Sequence, residues 1–423
     1  MKLAERPDRG AGGQERRTIR LLYVVNSDWF FLSHRLGLAE RAREEGFDVH
    51  VATVDTGRAA DIRARGFTFH SLRLSRNGMH PSREVASVLE LLRMYRRLRP
   101  DIVHHITPKP VLYGSLAARL LPDILVVNAV TGLGYLFASS TRSTMLQRLV
   151  SGLYRGALSH PHWRVIFQNG DDRDEFIRSG AVEPERAELI RGSGVDCEQF
   201  APRPEPPGTP VVMLVARMLW DKGVGEFVEA ARISRGRGQE ARWVLVGGPD
   251  DGNPASIPEE RLRRWVDEGV VEWWGHRADM EEVLPSASIV VLPSYREGLP
   301  KSLLEAAAAG KPMIATDVPG CREVVRPDAT GCLVPPQDAA ALAAAAELLI
   351  ADPELRRRYG QAARRMVVAE FADDLVYKAT LGMYRRLLEE RRSRSGAPSA
   401  ELRRRTCPDV DDVKIRPDPI LPT

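Results

Sequence analysis

Short apolar runs rich in valine, isoleucine and leucine recur along this chain, separated by longer segments of helical period, and that alternation narrows the fold more than any other feature. In the first half the runs fall at residues 21–25, 49–54, 101–104, 124–130 and 165–168. In the second half they fall at 211–215, 243–246, 270–273, 289–292, 313–316 and 332–334. Near-continuous apolar runs of this kind read as strands covered on both faces, which is what crossover helices do to a parallel sheet. Helical segments lie between them, among them residues 35–45, 81–98 and the alanine-rich 339–350. At 423 residues the chain exceeds one typical core, and a stretch from Pro202 to Pro210 with five prolines interrupts any regular element. The pattern therefore predicts an α/β chain of two doubly wound Rossmann-like domains, over residues 19–205 and 206–372, facing each other across a cleft. A helix over 373–390 is expected to pack back across the junction, and residues 1–18 and 391–423 are expected to be disordered.

Composition closes several other routes. Charged residues make up 28% and the hydrophobic set 43%, a globular balance, and a net charge of +4 is too small for a protein devoted to coating nucleic acid. The four cysteines, Cys197, Cys321, Cys332 and Cys407, have neither C-x-x-C nor zinc-like spacing, which points to reduced thiols in the cytoplasm. No apolar run of signal-peptide or membrane-spanning length is present.

The chemistry concentrates in the second half. Glu297 and Glu305, eight positions apart, bracket Gly298, Leu299, Pro300, Lys301 and Ser302, with a buried run before them. Pro300 suits a first helical position, so Glu297 falls on a loop and Glu305 inside a helix. The first-turn amides from Lys301 and Ser302 onward lack intrahelical partners and lie at the positive end of the helix, a good seat for a diphosphate. Earlier, Arg217 and Lys222 leave the carboxyl end of the run at 211–215. A guanidinium fork and a compact ammonium there could neutralise a diphosphate leaving group, the role a divalent metal fills in other transferases.

Together these residues resemble, in type and spacing, retaining glycosyltransferases of family 4, which have the two-domain GT-B fold. The resemblance rests on Arg217 with Lys222, the Glu297/Glu305 pair, the Gly192-Ser193-Gly194-Val195-Asp196 turn followed by Phe200, and Trp274 to Met280. It covers roughly residues 19 to 390. It implies that Arg217 and Lys222 bind the donor diphosphate, that Glu305 takes the ribose, and that Glu297 contacts the transferred sugar near its 3- and 4-hydroxyls. It also sets Gly275, His276 and Arg277 beside the base, and makes Arg217, Lys222 and Glu297 the catalytic group. No metal or other cofactor is expected.

The first domain is expected to choose the acceptor. Its first strand runs into Asn26-Ser27-Asp28-Trp29-Phe30-Phe31-Leu32-Ser33-His34-Arg35, a mixture of aromatic and polar groups suited to a sugar or lipid. With Ser33-His34-Arg35-Leu36, His105 to Pro110 and Val130 to Tyr135, it resembles the subgroup acting on undecaprenyl-diphosphate-linked sugars in surface polysaccharide or glycan assembly. The acceptor-binding candidates are Asn26, Asp28, His34, Arg35, His105, Lys109 and Thr131, with Lys109 and Arg35 meeting the lipid diphosphate. Several relatives carry a histidine near the position of Val130 or Thr131, and this chain does not. A retaining transfer in which the leaving phosphate takes the acceptor proton needs no dedicated base.

The expected partners are a nucleotide-sugar donor, a lipid-linked saccharide and an anionic membrane surface on the cytoplasmic side, with no nucleic acid. The membrane expectation rests on Arg93, Arg96, Arg97 and Arg99 with Met94 and Leu98 between them, and on residues 137–154. Three other readings compete. A metal-dependent GT-A enzyme would use Asp172 and Asp174, although both sit where a helix begins and capping explains them. A dinucleotide enzyme or simple binder lacks G-x-G-x-x-G after the first strand. A GT-B sugar-nucleotide epimerase would release nucleotide without an acceptor.

Overall fold

The computed structural model describes residues 18–74, 81–130, 152, 156–158, 160–250 and 252–394. Two all-parallel sheets organise it. The first contains β1 (Arg20–Val24), β2 (Asp48–Thr53), β3 (Thr68–Ser71), β4 (Ile102–Ile106), β5 (Leu125–Val130), β6 (Trp163–Phe167) and β7 (Ala187–Leu189), in the spatial order β3-β2-β1-β4-β5-β6-β7. The second contains β8 (Val211–Val215), β9 (Arg242–Val246), β10 (Glu272–Trp273), β11 (Ile289–Leu292), β12 (Met313–Thr316) and β13 (Gly331–Val334), ordered β10-β9-β8-β11-β12-β13. Every residue of β4, β5, β11 and β12 is buried, as double-sided helix cover requires. The expected strands are all present, and two unforeseen ones, β3 and β7, are short and half-exposed, so neither carries an apolar run.

The helix expected over 35–45 is present, and a second, unforeseen helix precedes it where a loop was expected. α1 (Asp28–His34) begins where Ser27 caps the Phe30 amide, and α2 (Leu36–Glu44) restarts after Arg35, whose φ of −132° and ψ of −5° break the helical path. α3 (Ala59–Ala64) follows β2, and α4 (Pro81–Leu98) has the predicted bounds. On α4 the arginines at 93, 96 and 97 are exposed, but Met94 and Tyr95 face the core. Its exposed apolar residues are instead Val85 and Leu89, which lie one turn apart.

Between the sheets, residues 201–210 are irregular, and Glu205 is held there by the Arg356 guanidinium at 2.9 Å. The last helix, Asp373–Arg394, extends beyond residue 390, so residues 391–394, expected to be disordered, are helical. It buries Val376, Leu381, Met383, Tyr384 and Leu387 in one cluster with Leu21, Tyr23 and Leu38 of the first domain. Tyr384 shares a hydrogen bond of 2.5 Å with His104 of β4, while Arg164 of β6 reaches Glu390 at 2.7 Å. Chain that has completed the second sheet thus becomes part of the first core.

Tyr384→Ala is expected to lower the unfolding free energy by about 3 kcal/mol or more, a cavity cost. Removing the exposed Arg385–Glu45 pair on the same helix by Arg385→Ala is expected to cost under about 1 kcal/mol. Denaturant titrations of both variants would show that ranking if core burial holds the helix in place.

Candidate active site

In each sheet the chain winds away in both directions from one central pair, β1 with β4 and β8 with β11. Loops leaving such a pair diverge and open a crevice at the carboxyl ends of the strands. Arg217 and Lys222 leave β8, and Ser294 to Pro300 leave β11, so the second sheet's crevice collects the cations and acids singled out in the sequence.

There Lys222 Nζ lies 2.5 Å from Glu297 Oε1, and the buried Ser294 hydroxyl donates to the same oxygen at 2.7 Å. The turn Trp220–Lys222 closes on Gly223 at φ +72°, where a Cβ would stand 2.0 Å from the Pro293 carbonyl. Tyr295 N donates to Asp221 O at 2.9 Å and the Tyr295 hydroxyl to Glu226 at 2.6 Å, so the two loops are joined at several points. Gly320, at the start of helix Pro319–Val324, lies equally close to the same loop, because a Cβ there would meet the Gly298 carbonyl at 2.5 Å.

Pro300 caps helix Lys301–Ala308 rather than opening it, one position earlier than expected, with φ −75° and ψ 115°. No side chain caps this start, and the amides of Lys301 and Ser302 are of the kind a helix leaves unpaired. Glu305 is only 9% exposed, with Lys301 Nζ at 3.3 Å. Burial pushes its carboxyl up, and the neighbouring Lys301 opposes that. Arg217 is exposed and paired with Asp250, so each of these cations has an acidic partner. Gly275, at φ +67°, offers its carbonyl to the Gly247 amide at 2.8 Å, placing the Gly275–His276–Arg277 turn beside the turn after β9. Arg277 lies exposed with two bonds to Asp279.

The first domain reaches this crevice directly. Lys301 Nζ donates to the Ser33 carbonyl of α1 at 2.8 Å, Asn169 Nδ2 to the Gly298 carbonyl at 2.8 Å, and Leu299 packs against Gly192, where a Cβ would meet its side chain at 2.6 Å. His34, also on α1, stacks on Phe30 with centroids 4.2 Å apart. Burial, with Lys301, Arg35 and Arg217 nearby, pushes its imidazole down to about 3.

Three acceptor candidates do not face the cleft. Asp28 is wholly buried, and its carboxylate accepts from Trp29 N at 2.7 Å, Thr56 N at 2.6 Å, Arg58 N at 3.0 Å and the Thr56 hydroxyl, fixing the loop after β2. His105 is wholly buried between the Tyr95 hydroxyl and Asn128 Oδ1, each at 2.8 Å, so both ring nitrogens are occupied. Arg35 is 5% exposed and folded inward, where a lipid diphosphate cannot follow. Their side chains answer core demands that a motif does not reveal. Lys109 is half-buried and paired with Glu84 at 3.1 Å. Asn26 lies half-buried at the end of β1, and Thr131, like residues 137–151, lies outside the described residues. Asp172, weighed as a metal ligand, takes the Asn169 amide at 2.9 Å in the first turn of helix Gly170–Arg178. The sequence reading missed Ser294, Asp250 and Asn169. Only Asn169 carried a signal, as an Asn-Gly-Asp-Asp helix start.

Two Rossmann-like sheets, with cations and acids gathered at the crevice of the second, define a two-domain glycosyltransferase of GT-B architecture. Residues 20–169 match the family described as glycosyl transferase 4-like, and residues 209–352 match glycosyl transferases group 1. The chain belongs to these glycosyltransferases. It is 26% identical over 381 residues to the Campylobacter jejuni N,N'-diacetylbacillosaminyl-diphospho-undecaprenol alpha-1,3-N-acetylgalactosaminyltransferase, covering 85% of this chain and 98% of that protein. Sucrose-phosphate synthase from Thermosynechococcus elongatus superposes with a TM-score of 0.73 at 20% identity, over 88% of this chain and 100% of that one. Anabaena HepE in complex with UDP and glucose gives 0.71 at 18% identity, over 86% and 99%. Both structures bear on the fold, and they agree with the GT-B expectation.

The depressed histidines carry a pH prediction. His34 at about 3, and His70 and His105 at about 4, all stay neutral in the folded chain below the ordinary value of 6.5. Their contribution is complete above 6.5 and is lost as pH falls from there toward 4 and 3. The melting temperature is therefore expected to decline on acidification through that window, and His105→Gln to shallow the decline. A profile unchanged in that variant would exclude His105 as a contributor.

Proposed function

We propose that this glycosyltransferase moves a hexose or N-acetylhexosamine, with retention, from a UDP-sugar to a polyprenyl-diphosphate-linked saccharide in surface polysaccharide or glycan assembly. The observation that carries the reading is the contact of Lys222 with Glu297, at the one place in the second sheet where the β8 and β11 loops diverge. A donor diphosphate seated at the uncapped start of helix Lys301–Ala308 would draw Lys222 from Glu297 and Arg217 from Asp250. The two cations would then stabilise the charge that grows on the leaving diphosphate. Glu297, released, would accept from hydroxyls of the transferred sugar, and Glu305 from the ribose. Gly275 to Arg277 would flank the uracil.

The relative named for a diphospho-undecaprenol acceptor, matched over nearly its whole length, supports the lipid-linked acceptor. Asn26, His34 and Lys109 are the retained acceptor-side candidates among the described residues. An anionic membrane surface is supported by exposed Arg93, Arg96 and Arg97 alongside exposed Val85 and Leu89 on α4. Among the described residues no helix is long and apolar enough to cross a membrane. The transfer itself needs no metal in this reading, because Arg217 and Lys222 carry the charge, and no separate base.

Incubation with UDP- and GDP-sugars and polyprenyl-diphosphate saccharides, with products weighed by mass spectrometry, tests the whole reading. A sugar-extended lipid confirms it, whereas free nucleotide without an extended acceptor would favour epimerase chemistry. Arg217→Ala is expected to lower turnover about tenfold or more, and Glu305→Ala to weaken UDP binding in calorimetry. Unchanged values in both variants would remove the site.

A further inference from the structure

Where α1 stops and α2 begins, Arg35 folds into the protein interior. A guanidinium keeps its charge throughout the pH range of a folded protein, and a buried charge is normally paired. Arg35 has one described hydrogen bond, from Nη1 to the His34 carbonyl at 3.0 Å, and its buried Nε has none. The groups that face it are the aromatic hydroxyls of Tyr384, Tyr23 and Tyr377, and no carboxylate pairs with it among the described residues. Beside it lies a cavity of about 10 Å³, room for one particle of water size, lined in part by Arg35, Leu38, His104, Gly192, Ser193 and Tyr377.

Two further features beside the cavity are donors. α2 starts at this point without any side-chain cap, so its first-turn amides lie at a positive helix end, and Leu38 of that turn lines the cavity. His104 is 1% exposed, with Nδ1 on the Tyr384 hydroxyl and no partner at Nε2. With Tyr384 donating to Nδ1, the neutral ring carries its proton on Nε2 and becomes a donor. The Tyr23 hydroxyl, wholly buried, faces Tyr384 and Arg35 and is not part of the cavity lining. A buried cation, an uncapped helix start and a spare imidazole donor, around a space of water size, call for a small negative acceptor.

We propose that this cavity is a binding site for a monatomic anion, chloride being the physiological candidate. The ion would join three parts of the chain that are distant in sequence: α2, the interdomain turn at Gly192 and Ser193, and Tyr377 on the last helix. It would stabilise the folded chain by mass action without entering the donor crevice.

Two measurements on the full-length protein test this. Melting temperature in sodium chloride is expected to exceed that in sodium gluconate at equal ionic strength by a few degrees, and Arg35→Gln to abolish the difference. Crystals of the native protein grown in bromide are expected to show an anomalous peak in the cavity, beside the Arg35 guanidinium. Equal melting temperatures in the two salts, or no bromide peak at saturating salt, overturns the proposal and leaves a water as the occupant. Should Arg35→Gln fail to fold, the native-protein salt comparison and the bromide map decide without it.

Discussion

Everything at the second-domain crevice depends on loops approaching one another at backbone distance. Gly223 lets the turn after β8 rest on the carbonyl of Pro293, and Gly320 lets the helix after β12 rest on the loop that follows β11. Any Cβ at either glycine would overlap a carbonyl oxygen. Gly223 is also left-handed, where a side chain is strained whatever space surrounds it. This contact sets the separation of Lys222 from Glu297, since both are borne on the segments that it joins. The charges are therefore positioned by packing that involves no charge.

The same crevice is arranged so that each cation already has a carboxylate: Lys222 with Glu297, Lys301 with Glu305, and Arg217 with Asp250. A buried or half-buried charge without such a partner would be costly, so the pairs allow the site to exist before a ligand arrives. They also mean that a diphosphate bound there, as proposed, would gain only the difference between its own contacts and those it displaces. Two negative charges spread over phosphate oxygens can engage several donors at once, which one carboxylate per cation cannot. Selectivity for a multiply charged ligand over a single carboxylate would follow from that competition. The exposed Arg217 is the easiest of the three to redirect, and Lys301, held also by Ser33 of the first domain, the hardest.

How much of this was legible before the structure differed between the two halves. In the second domain the runs at 211–215, 289–292 and 313–316 coincide with strands, because buried parallel strands are continuous in apolar character and end sharply at loops. The site residues there lie within a few positions of those strand ends, so spacing along the chain carries their spatial proximity. In the first domain it does not. Asp28 and His105 have the residue types of a substrate site, yet their partners Thr56, Arg58, Tyr95 and Asn128 come from other elements and consume every polar atom. Arg35 stands at the break between α1 and α2, where the sequence pattern showed only the start of one helix, and its side chain is buried. Strands β3 and β7, being short edges, lacked the apolar signal altogether.

The two halves also differ in how they are tied together. Three contacts at the crevice, from Ser33, Asn169 and Gly192, meet Lys301, Gly298 and Leu299, which are all part of the loop after β11 and the helix that follows it. On the far side the last helix inserts Tyr384 and its neighbours into the first core while beginning next to Val195, which bridges to Ala372. The first set consists of single hydrogen bonds and one side-chain contact, each worth about 1 kcal/mol, and can be exchanged for ligand contacts. The second is a buried core surface that cannot separate without exposing apolar area. Between the halves, Gly194 approaches the Asp373 backbone too closely for any side chain, and Val195 bridges to Ala372. The segment proposed to seat the donor is therefore also the one that the first domain contacts, so a ligand bound there would compete with those three contacts.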